Sequence, residues 1–563
     1  MNAPDRAPAG NRVKIDPASL HFLPLGGAGE IGMNLSLYAY GGRWLMVDLG
    51  VTFADDSLPG VDVILPDPSF IEERADDLAG LVLTHAHEDH LGAVPYLWPE
   101  LRCPVYATPF TAELLKVKLQ EHGLAGQVPI IIVPLSGRFQ VGPFDCELIT
   151  ITHSIPEPNA LVIRTPAGTV LHTGDWKLDP APVIGAIPDE TALRALGDIG
   201  VDAMVCDSTN ATVPGSSGSE GALKDSLAEL FGRYTNRIAI ACFATNVARL
   251  HSIAVAAAAH DRRVALIGRS LWRIEAAARA TGYLDDLPPF VTEHDAGFLP
   301  KDKVVLVCTG SQGEPRAALA RIASKNHPQI TLSAGDVVIF SSREIPGNER
   351  AIARVQNGLL QQGIEVVTSS DAFVHVSGHP ARDELISMYQ WVRPVTAVPV
   401  HGEARHMRAH AQVARDCQVP NVLIPNNGAV MRLAPGTPAR IGEVASGRLC
   451  IDGNRLVPLE TAAVRSRVRI MNNGAAVVTL VVDAKGALVG QPQLALLGLV
   501  EEGGDEETVA DTIERIRDAV GALKPAEKRN DESVKEAARL AVRRAFQAEQ
   551  GRKPITQVHL VRV

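Results

Sequence analysis

Short apolar runs separated by polar turns dominate the first part of the chain, a pattern typical of β-strands. From about His21 to Asp207 these runs end repeatedly in Gly, Asp or His, as in LSLYAY, RWLMVDLG, LAGLVLTHAH, CELITITHS and TVLHTGD. The pattern predicts sheets whose strand ends carry the polar chemistry of the domain.

The apolar pattern changes after Ser208, where strand-like runs alternate with helical ones. RIAIACFAT precedes NVARLHSIAVAAAA, RVALIG precedes SLWRIEAAARA, and KVVLVCTG precedes EPRAALARIAS. This alternation predicts a parallel α/β unit. AFVHVSGHP, a helix DELISMYQWV and TAVPVHGE then return to His-rich strand ends, so we expect the first domain to resume after an insertion.

A third pattern begins near Gly453. RVRIMNNGAAVVTLVVD and PQLALLGLV read as strands, followed by a charged stretch EEGGDEE, two helices, and a last strand TQVHLVRV. Because this α+β segment has one histidine, His559, and no acidic cluster at its strand ends, we interpret it as a dimerisation domain. A catalytic role is the alternative. The predicted organisation is a disordered tail at 1–20, a first domain at 21–207 and 368–445, its insertion at 208–367, a linker at 446–465 and a C-terminal domain at 466–563.

Composition narrows the class of protein. A chain of 563 residues, 46% hydrophobic and 4% aromatic, is too long for one core. No apolar run approaches the roughly 20 residues of a membrane span, and the first dozen residues lack the apolar core of a signal peptide. Seven scattered cysteines without CxxC spacing suggest reduced thiols. We therefore expect a cytoplasmic protein that does not enter a membrane.

The net charge of −10 would ordinarily argue against a nucleic-acid partner, because phosphate binding relies on Lys and Arg. The charge is uneven, however. Residues 208–365 carry 17 Lys and Arg against 15 Asp and Glu, a net of +2, which leaves −12 for the remainder. A charged polymer therefore stays compatible with the sequence.

The motif HAHEDH at 85–90 directly follows an apolar run and offers four metal ligands within six residues. His85 and His87 point the same way from an extended segment, whereas Asp89 and His90 lie beyond the bend where a helix begins. Imidazoles interleaved with a carboxylate after a strand are what a dinuclear hydrolytic site needs. The alternative is a run of solvated loop residues.

Three later strand ends supply further candidate ligands. His153 follows LITIT, Asp175 stands in LHTGD, and His401 stands in PVHGE. Each alone would more often be a turn residue, but their order after HAHEDH favours a shared site. We expect His153 to complete a first metal site, Asp175 to bridge two ions, and His401 to complete the second.

These motifs resemble a known family. HAHEDH, His153, Asp175 and VDLG with Asp48 resemble the metallo-β-lactamase motifs in order. PLGGAGEIGMN, GSQGEP, IPGNE, HVSGH and PVHGE extend the resemblance to the ribonuclease J family over nearly the whole chain. It implies a metallo-β-lactamase αββα sandwich with an inserted β-CASP α/β domain and a small C-terminal α+β domain.

The resemblance also implies a mechanism. Two Zn²⁺ ions, with Mn²⁺ tolerating the same donors, would lower the pKa of a water and clamp phosphoryl oxygens. Asp89 would also orient the water, and Asp48 would accept a hydrogen bond that fixes a histidine tautomer, unless Asp48 merely caps a turn. His379 would stabilise or protonate the leaving oxygen, with Asp207 positioning a nearby histidine. The ligands are His85, His87 and His153 for one ion, Asp89, His90 and His401 for the other, and Asp175 for both.

Two Gly-containing turns are candidate phosphate sites, although such turns are usually only turns. In HVSGHP, backbone amides of Ser377 and Gly378 could form an anion nest, flanked by His375, Val376 and His379. In GSQGEP, the Ser311 turn stands between a strand and a helix, where amides could meet phosphate. Arg249 in FATNVARL is either a backbone-phosphate contact or an ordinary surface arginine.

The resemblance implies a ribonuclease that digests single-stranded RNA from a 5′-monophosphate end, and also cuts internally, in RNA maturation and decay. A homodimer or homotetramer through the C-terminal domain and RNA-decay partners are further expectations. One alternative is a small-molecule metallo-hydrolase of the glyoxalase type, which needs no inserted domain of about 160 residues. The other is a non-catalytic RNA-binding scaffold, against which the complete ligand set argues.

Overall fold

A computed structural model describes residues 13–55, 57–501 and 506–563. Most of the expected N-terminal tail and part of EEGGDEE therefore lie outside the described residues. The tail was expected to reach residue 20, whereas Leu20 already begins a strand. The chain divides into two compact units. The first consists of the described residues up to Thr52 together with Leu65–Gly447, and the second consists of Phe53–Ile64 together with Arg448–Val563.

Strands dominate the described residues up to Asp207, as the apolar runs predict, and five helices interrupt them. The strands are β1 (Leu20–Gly26), β2 (Ala28–Gly29), β3 (Leu35–Tyr40), β4 (Arg43–Val47), β5 (Thr52–Phe53), β6 (Val63–Pro66), β7 (Leu78–Val82), β8 (Val105–Ala107), β9 (Ile130–Ile132), β10 (Arg138–Val141), β11 (Phe144–Thr150), β12 (Asn159–Thr165), β13 (Gly168–His172) and β14 (Ala203–Asp207). The helices are α1 (Ser69–Glu72), α2 (Glu88–Leu91), α3 (Val94–Leu101), α4 (Pro109–Glu121) and α5 (Glu190–Ile199), with a 3-10 turn at Ala75–Asp77.

The inserted segment is a parallel α/β domain. Its elements are α6 (Glu220–Phe231), β15 (Ile238–Ala241), α7 (Val247–Ala258), β16 (Arg263–Ile267), α8 (Arg269–Ala280), α9 (Glu293–Ala296), β17 (Val304–Cys308), α10 (Ala318–Ala323), β18 (Val337–Phe340), α11 (Glu349–Leu360) and β19 (Glu365–Val367), with a 3-10 turn at Lys301–Lys303. The strands pair in parallel in the order β16-β17-β15-β18-β19. This is the architecture that an alternation of strands and helices predicts.

The chain then returns to the first domain. The elements are α12 (Arg382–Val392), β20 (Thr396–Val400), β21 (Gly402–Glu403), α13 (Ala404–Asp416), β22 (Asn421–Val422), β23 (Ala429–Ala434) and β24 (Ala439–Glu443). Strand β20 pairs in parallel with β14, with Asp207 opposite Val400. The last strand before the insertion and the first strand after it are therefore neighbours in one sheet.

Two sheets form the centre of this domain. One has the order β24-β23-β1-β3-β4-β7-β8-β9, and the other β10-β11-β12-β13-β14-β20-β22. Alternate residues of both sheets share one apolar core, including Leu45 and Val47 of the first sheet and Leu161 and Ile163 of the second. Helices α5, α12 and α13 cover the outer face of the second sheet with a separate apolar cluster. The layers therefore correspond to the predicted sandwich.

The smaller unit contains β25 (Arg448–Asp452), β26 (Arg455–Pro458), α14 (Ala462–Asn473), β27 (Ala475–Val482), β28 (Gln493–Leu497), α15 (Glu506–Gly521), α16 (Pro525–Lys528), α17 (Asp531–Gln550) and β29 (Ile555–Arg562). Helices α15 and α17 and the sheet β28-β27-β29 share one apolar core. A second sheet has the order β26-β25-β6-β5. Among the described residues, no helix combines the length and apolar character needed to cross a bilayer.

Two details of the C-terminal prediction are wrong. The letters RVRIMNN belong to helix α14, which the Thr461 side chain caps by accepting a hydrogen bond from the Val464 amide. The expected linker at 446–465 instead holds β25 and β26, which pair with each other and join β5 and β6 in one sheet. That partner lies far back in the chain, so no local pattern indicates it.

Candidate metal centre

Strand ends from both sheets of the sandwich bring the candidate ligands together. In the second sheet, β13, β14 and β20 are parallel neighbours, and Asp175, Asp207 and His401 stand at or just beyond their carboxyl ends. In the first sheet, β4 and β7 are parallel neighbours, followed by Asp48 and by the HAHEDH motif. Because parallel strands end at the same edge of a sheet, residues distant in sequence meet there.

The first cluster consists of His85, His87, His153 and Asp175, whose nearest ligand atoms all lie within 4.8 Å of one another. The His87 Nδ1 atom lies 3.1 Å from His85 Nε2 and 3.0 Å from His153 Nε2. Asp175 Oδ2 lies 3.9 Å from His85 Nε2 and 3.8 Å from His153 Nε2. Three imidazoles and one carboxylate therefore converge on a single point.

The second cluster consists of Asp89, His90, Asp175 and His401, within the same 4.8 Å limit. Asp175 Oδ2 lies 3.2 Å from His90 Nε2. Asp89 Oδ2 lies 3.6 Å from both His90 Nε2 and His401 Nε2. Asp175 therefore belongs to both clusters, which is the position expected of a bridging carboxylate.

The donor set fits cations. His401 Nε2 is buried and has no hydrogen-bond partner among the described residues, which is costly unless something else binds it. Burial lowers the pKa of His87 to about 3 and the pKa of His85 and His153 well below the usual range. These rings are therefore neutral, as metal ligands must be. Mixed imidazole and carboxylate donors suit Zn²⁺ and also Mn²⁺.

Outer contacts orient three of the imidazoles. His85 Nδ1 contacts Thr84 Oγ1 at 3.0 Å, His90 Nδ1 contacts Asp48 Oδ2 at 2.7 Å, and His153 Nδ1 contacts the Gly378 carbonyl oxygen at 2.5 Å. In each ring this leaves Nε2 facing the clusters. Asp48 itself accepts hydrogen bonds from the Thr84 amide and hydroxyl, both at 2.8 Å. Asp48 thus occupies the place that the sequence prediction requires.

His379 and Asp207 form a pair beside Asp175. His379 Nδ1 lies 2.8 Å from Asp207 Oδ2 and 3.8 Å from Asp175 Oδ2. Burial opposes the charged ring, but the Asp207 and Asp175 carboxylates together raise the pKa of His379 to about 9. The imidazole therefore carries a proton at neutral pH and can donate it.

Thr209 is a site residue that the sequence reasoning missed. Its amide and its hydroxyl both donate to Asp207 Oδ1, at 2.8 and 2.7 Å, so Asp207 Oδ2 remains for His379. The hydroxyl also lies 3.2 Å from the carbonyl oxygen of His401. The Asp-Ser-Thr order in CDST is typical of such a turn and could have indicated it.

The predicted phosphate nest in HVSGHP is only partly available. The Ser377 amide donates to the Ser217 carbonyl at 3.3 Å, and the His379 amide donates to Ser377 Oγ at 3.2 Å. The Gly378 amide has no acceptor among the described residues. The two-amide nest is therefore wrong, because the loop around Ser217 already uses one amide. His375 lies nearby, and burial lowers its pKa to about 3.

The other phosphate predictions also need correction. Ser311 is buried, but helix α10 begins only at Ala318, so the turn does not stand at a helix N-terminus. Arg249 is neither exposed nor free, because it is 1% exposed and pairs with buried Glu220 at 2.9 Å. Both readings of Arg249 are therefore wrong, since it holds the inserted domain together.

A different arginine of the inserted domain approaches the site. The Arg343 guanidinium donates to Asn210 Oδ1 at 3.0 Å. The Asn210 side-chain amide in turn donates to Ser377 Oγ at 2.8 Å and to the His379 carbonyl oxygen at 3.1 Å. Arg343 is exposed, so it supplies a positive charge next to HVSGH. Sequence patterns gave no signal for this chain of contacts.

Comparison with known proteins identifies the family. Residues 29–191 match the model of the metallo-β-lactamase superfamily, and residues 235–359 match that of the ribonuclease J β-CASP domain. Residues 363–425 match the Zn-dependent metallo-hydrolase RNA specificity domain, and residues 462–563 match the ribonuclease J C-terminal domain. A protein named ribonuclease J from Sinorhizobium meliloti is 46% identical over 97% of this chain and 97% of its own length. The chain belongs to the ribonuclease J family.

Membership in the ribonuclease J family confirms the resemblance and the fold class inferred from the sequence. A second ribonuclease J, from Mycolicibacterium smegmatis, is 42% identical over 90% of this chain and 91% of its own length. A crystal structure of a protein of unknown function from Enterococcus faecalis aligns with a TM-score of 0.51 at 17% identity, covering 73% of this chain and 99% of that one. The likeness to the Enterococcus faecalis protein concerns the fold alone.

Proposed function

We propose that this chain is a metal-dependent nuclease that hydrolyses phosphodiester bonds in RNA. The observation that carries the proposal is the pair of clusters that share Asp175 at the edge of two sheets. We propose two ions, Zn²⁺ with Mn²⁺ as a substitute, held by His85, His87, His153, Asp89, His90, His401 and Asp175. When bound, such ions supply Lewis-acid charge and lower the pKa of water at the site.

The chain's own residues supply the proton transfers. Asp89 is the most exposed carboxylate of the second cluster, so it can accept a hydrogen bond from an attacking water and orient it. His379 donates its proton to the oxygen that leaves the phosphorus, because its hydrogen bond to the Asp207 carboxylate favours the protonated ring. Asp207 stays charged and balances the imidazolium. The residue roles thus divide between a water-orienting carboxylate and a proton-donating imidazole.

Substrate binding is proposed for the loop HVSGH together with the inserted domain. The Gly378 amide follows Ser377 in the chain, and the exposed Arg343 guanidinium reaches Ser377 through Asn210. Both are donors suited to phosphate oxygens. We propose that they hold a 5′-terminal monophosphate and set the first bond over the metal centre, so that digestion runs from 5′ to 3′. Internal cleavage uses the same centre without the terminal contacts.

The alternatives fit less well. A small-molecule hydrolase of the glyoxalase type needs neither a β-CASP domain nor the RNA specificity segment that residues 363–425 match. A non-catalytic scaffold has no need for two complete ligand clusters that share one carboxylate. We further propose a cytoplasmic location, from the seven free cysteines, and self-association through the C-terminal domain as a dimer or tetramer. Protein partners in RNA decay remain part of the same proposal.

The test uses one RNA in two forms, each labelled at its 3′ end, with a 5′-monophosphate or a 5′-triphosphate. The purified protein should shorten the monophosphate form faster, and a chelator should stop both reactions. Equal rates on the two ends would overturn the terminal-phosphate proposal. Cleavage unaffected by a chelator that removes all bound metal would overturn the metal-dependent mechanism itself.

A further inference from the structure

The loop that follows His153 is held at its far end by a buried carboxylate. Residues 153–158 run from His153 to strand β12, and Glu157 has a left-handed backbone with φ of +58°. A non-glycine residue keeps this conformation only where its surroundings impose it. The Glu157 side chain is buried, so its contacts determine the path of the loop.

One oxygen of Glu157 caps helix α4. Glu157 Oε2 accepts a hydrogen bond from the Phe110 amide at 2.8 Å. This amide lies in the first turn of α4, where the Thr108 side chain makes no capping bond. A carboxylate at a helix N-terminus satisfies an unpaired amide and interacts favourably with the helix dipole. The loop is thereby attached to the metallo-β-lactamase domain.

The other oxygen of Glu157 is bound by the inserted domain. Tyr283, which follows helix α8, donates its hydroxyl to Glu157 Oε1 at 3.1 Å. The Tyr283 ring also meets Phe110 edge-on, with ring centroids 6.1 Å apart. Burial and the Glu157 carboxylate raise the pKa of Tyr283 well above its usual value, so the phenol remains a donor. One carboxylate therefore joins the His153 loop, α4 and the inserted domain.

A small cavity lies beside the middle of the loop. A cavity of about 40 Å³ lies between the loop and the inserted domain, lined among others by His153, Ile155, Glu157 and Tyr283. This volume accommodates about two or three water molecules. Hydrogen bonds hold the loop at both ends: His153 contacts the Gly378 carbonyl oxygen at one end, and Glu157 contacts Phe110 and Tyr283 at the other.

We propose that Glu157 is a positioning residue for the metal centre and that Tyr283 makes this positioning depend on the seating of the inserted domain. The inference rests on the proposed function, because His153 is a proposed ligand. If the inserted domain shifts, Glu157 Oε1 loses its donor and is left buried and unpaired. The loop then relaxes towards the cavity and carries His153 away from His87. Metal affinity and turnover therefore depend on the position of the inserted domain, which is proposed to hold RNA.

The decisive variant is Tyr283→Phe, which removes one hydroxyl and keeps the ring. Its matched control is Arg273→Ala, which breaks the exposed ion pair, 3.2 Å long, between Arg273 of α8 and Glu121 of α4. Zn²⁺ affinity is measured by competition with a chelating dye, and kcat and KM are measured on RNA. We expect about tenfold weaker Zn²⁺ binding in Tyr283→Phe, the size of a lost hydrogen bond to a charged group. We also expect kcat to fall with KM unchanged, and the control to behave as the unaltered protein.

A second variant, Glu157→Gln, keeps an acceptor for Phe110 and removes the charge. Adding Tyr283→Phe to it should weaken Zn²⁺ binding little further, because residues that act through one contact are not additive. If Tyr283→Phe binds Zn²⁺ as tightly as Arg273→Ala does, or lowers only the thermal stability, the inference is overturned. If Glu157→Gln does not fold, the comparison of Tyr283→Phe with Arg273→Ala still decides. If the unaltered protein binds no Zn²⁺, the proposed function fails instead.

Discussion

Thr209→Val tests the pairing of Asp207 with His379. The substitution keeps the shape of the side chain and removes the hydroxyl that donates to Asp207 Oδ1 at 2.7 Å. The Thr209 amide, at 2.8 Å, is then the remaining donor of this residue to that oxygen. With one support lost, the carboxylate is free to rotate, and His379 loses the geometry that keeps its proton in place.

The expected magnitude follows from the bond that is removed. A hydrogen bond to a charged group contributes about 1.5–3 kcal/mol, and each ~1.4 kcal/mol in the barrier is a tenfold change in rate. We therefore expect kcat to fall between about tenfold and about a hundredfold, with KM changed little because Thr209 is not proposed to touch RNA.

Single-turnover cleavage of a 5′-monophosphorylated RNA measures this effect without product release. Thr209→Ser is the matched control, since it retains the hydroxyl and should restore most of the rate. A Val variant that cleaves as fast as the unaltered protein would refute the positioning role. A Val and a Ser variant that are equally slow would show that the methyl group matters and the hydroxyl does not.

Three further predictions concern ligands, stability and assembly. Asp175→Ala should abolish cleavage. Its circular dichroism spectrum should be unchanged, because the sandwich core does not depend on metal. Cleavage at the normal rate would show that the site is misplaced. Arg249→Met should lower the free energy of unfolding by about 3–5 kcal/mol, since it leaves Glu220 as a buried unpaired charge. Arg233→Met, which breaks the exposed pair of Arg233 with Glu229, should lower it by about 0–1 kcal/mol. Equal losses of unfolding free energy in denaturation experiments would contradict the structural role of Arg249. Removing residues 462–563 should lower the number of chains per particle, measured by light scattering, and leave metal binding intact. An unchanged number of chains per particle would refute dimerisation through that segment.

Local motifs carried most of what could be predicted about the site. HAHEDH could be recognised because its ligands lie within six residues directly after a strand, with His85 and His87 on the extended segment and Asp89 and His90 in the helix that follows. Asp175 and His401 could be predicted as ligands because they follow strands, and parallel strands end at a common edge of a sheet. Their predicted convergence required no knowledge of side-chain contacts.

Features that depend on distant partners could not be predicted. Arg249 looks like any helix-surface arginine until Glu220, 29 residues earlier, and Ser341, 92 residues later, are placed against it. The amide of Ser377 looks free until the Ser217 carbonyl approaches it. In both cases a polar group meets its partner through tertiary packing, and local periodicity does not indicate such a contact.

The prediction of secondary structure failed where one segment fits both the strand and the helix pattern. In RVRIMNN, alternating arginine and apolar residues imitate a strand, but Thr461 caps a helix that runs through the segment to Asn473. The prediction of a linker failed for a different reason, because β25 lies next to β6, a strand from much earlier in the chain, and β26 pairs with β25. Propensity is a weak guide when tertiary pairing decides the outcome.

The central claim is that one carboxylate, Asp175, joins two metal sites in each chain. Its most direct test is the number of Zn²⁺ or Mn²⁺ ions bound per chain, measured by elemental analysis after metal loading and removal of loosely bound ions. If Asp175 joins two metal sites, the unaltered protein binds two ions and Asp175→Ala binds fewer. A protein that retains no metal, or an Asp175→Ala variant that still binds two ions as tightly, would contradict this claim.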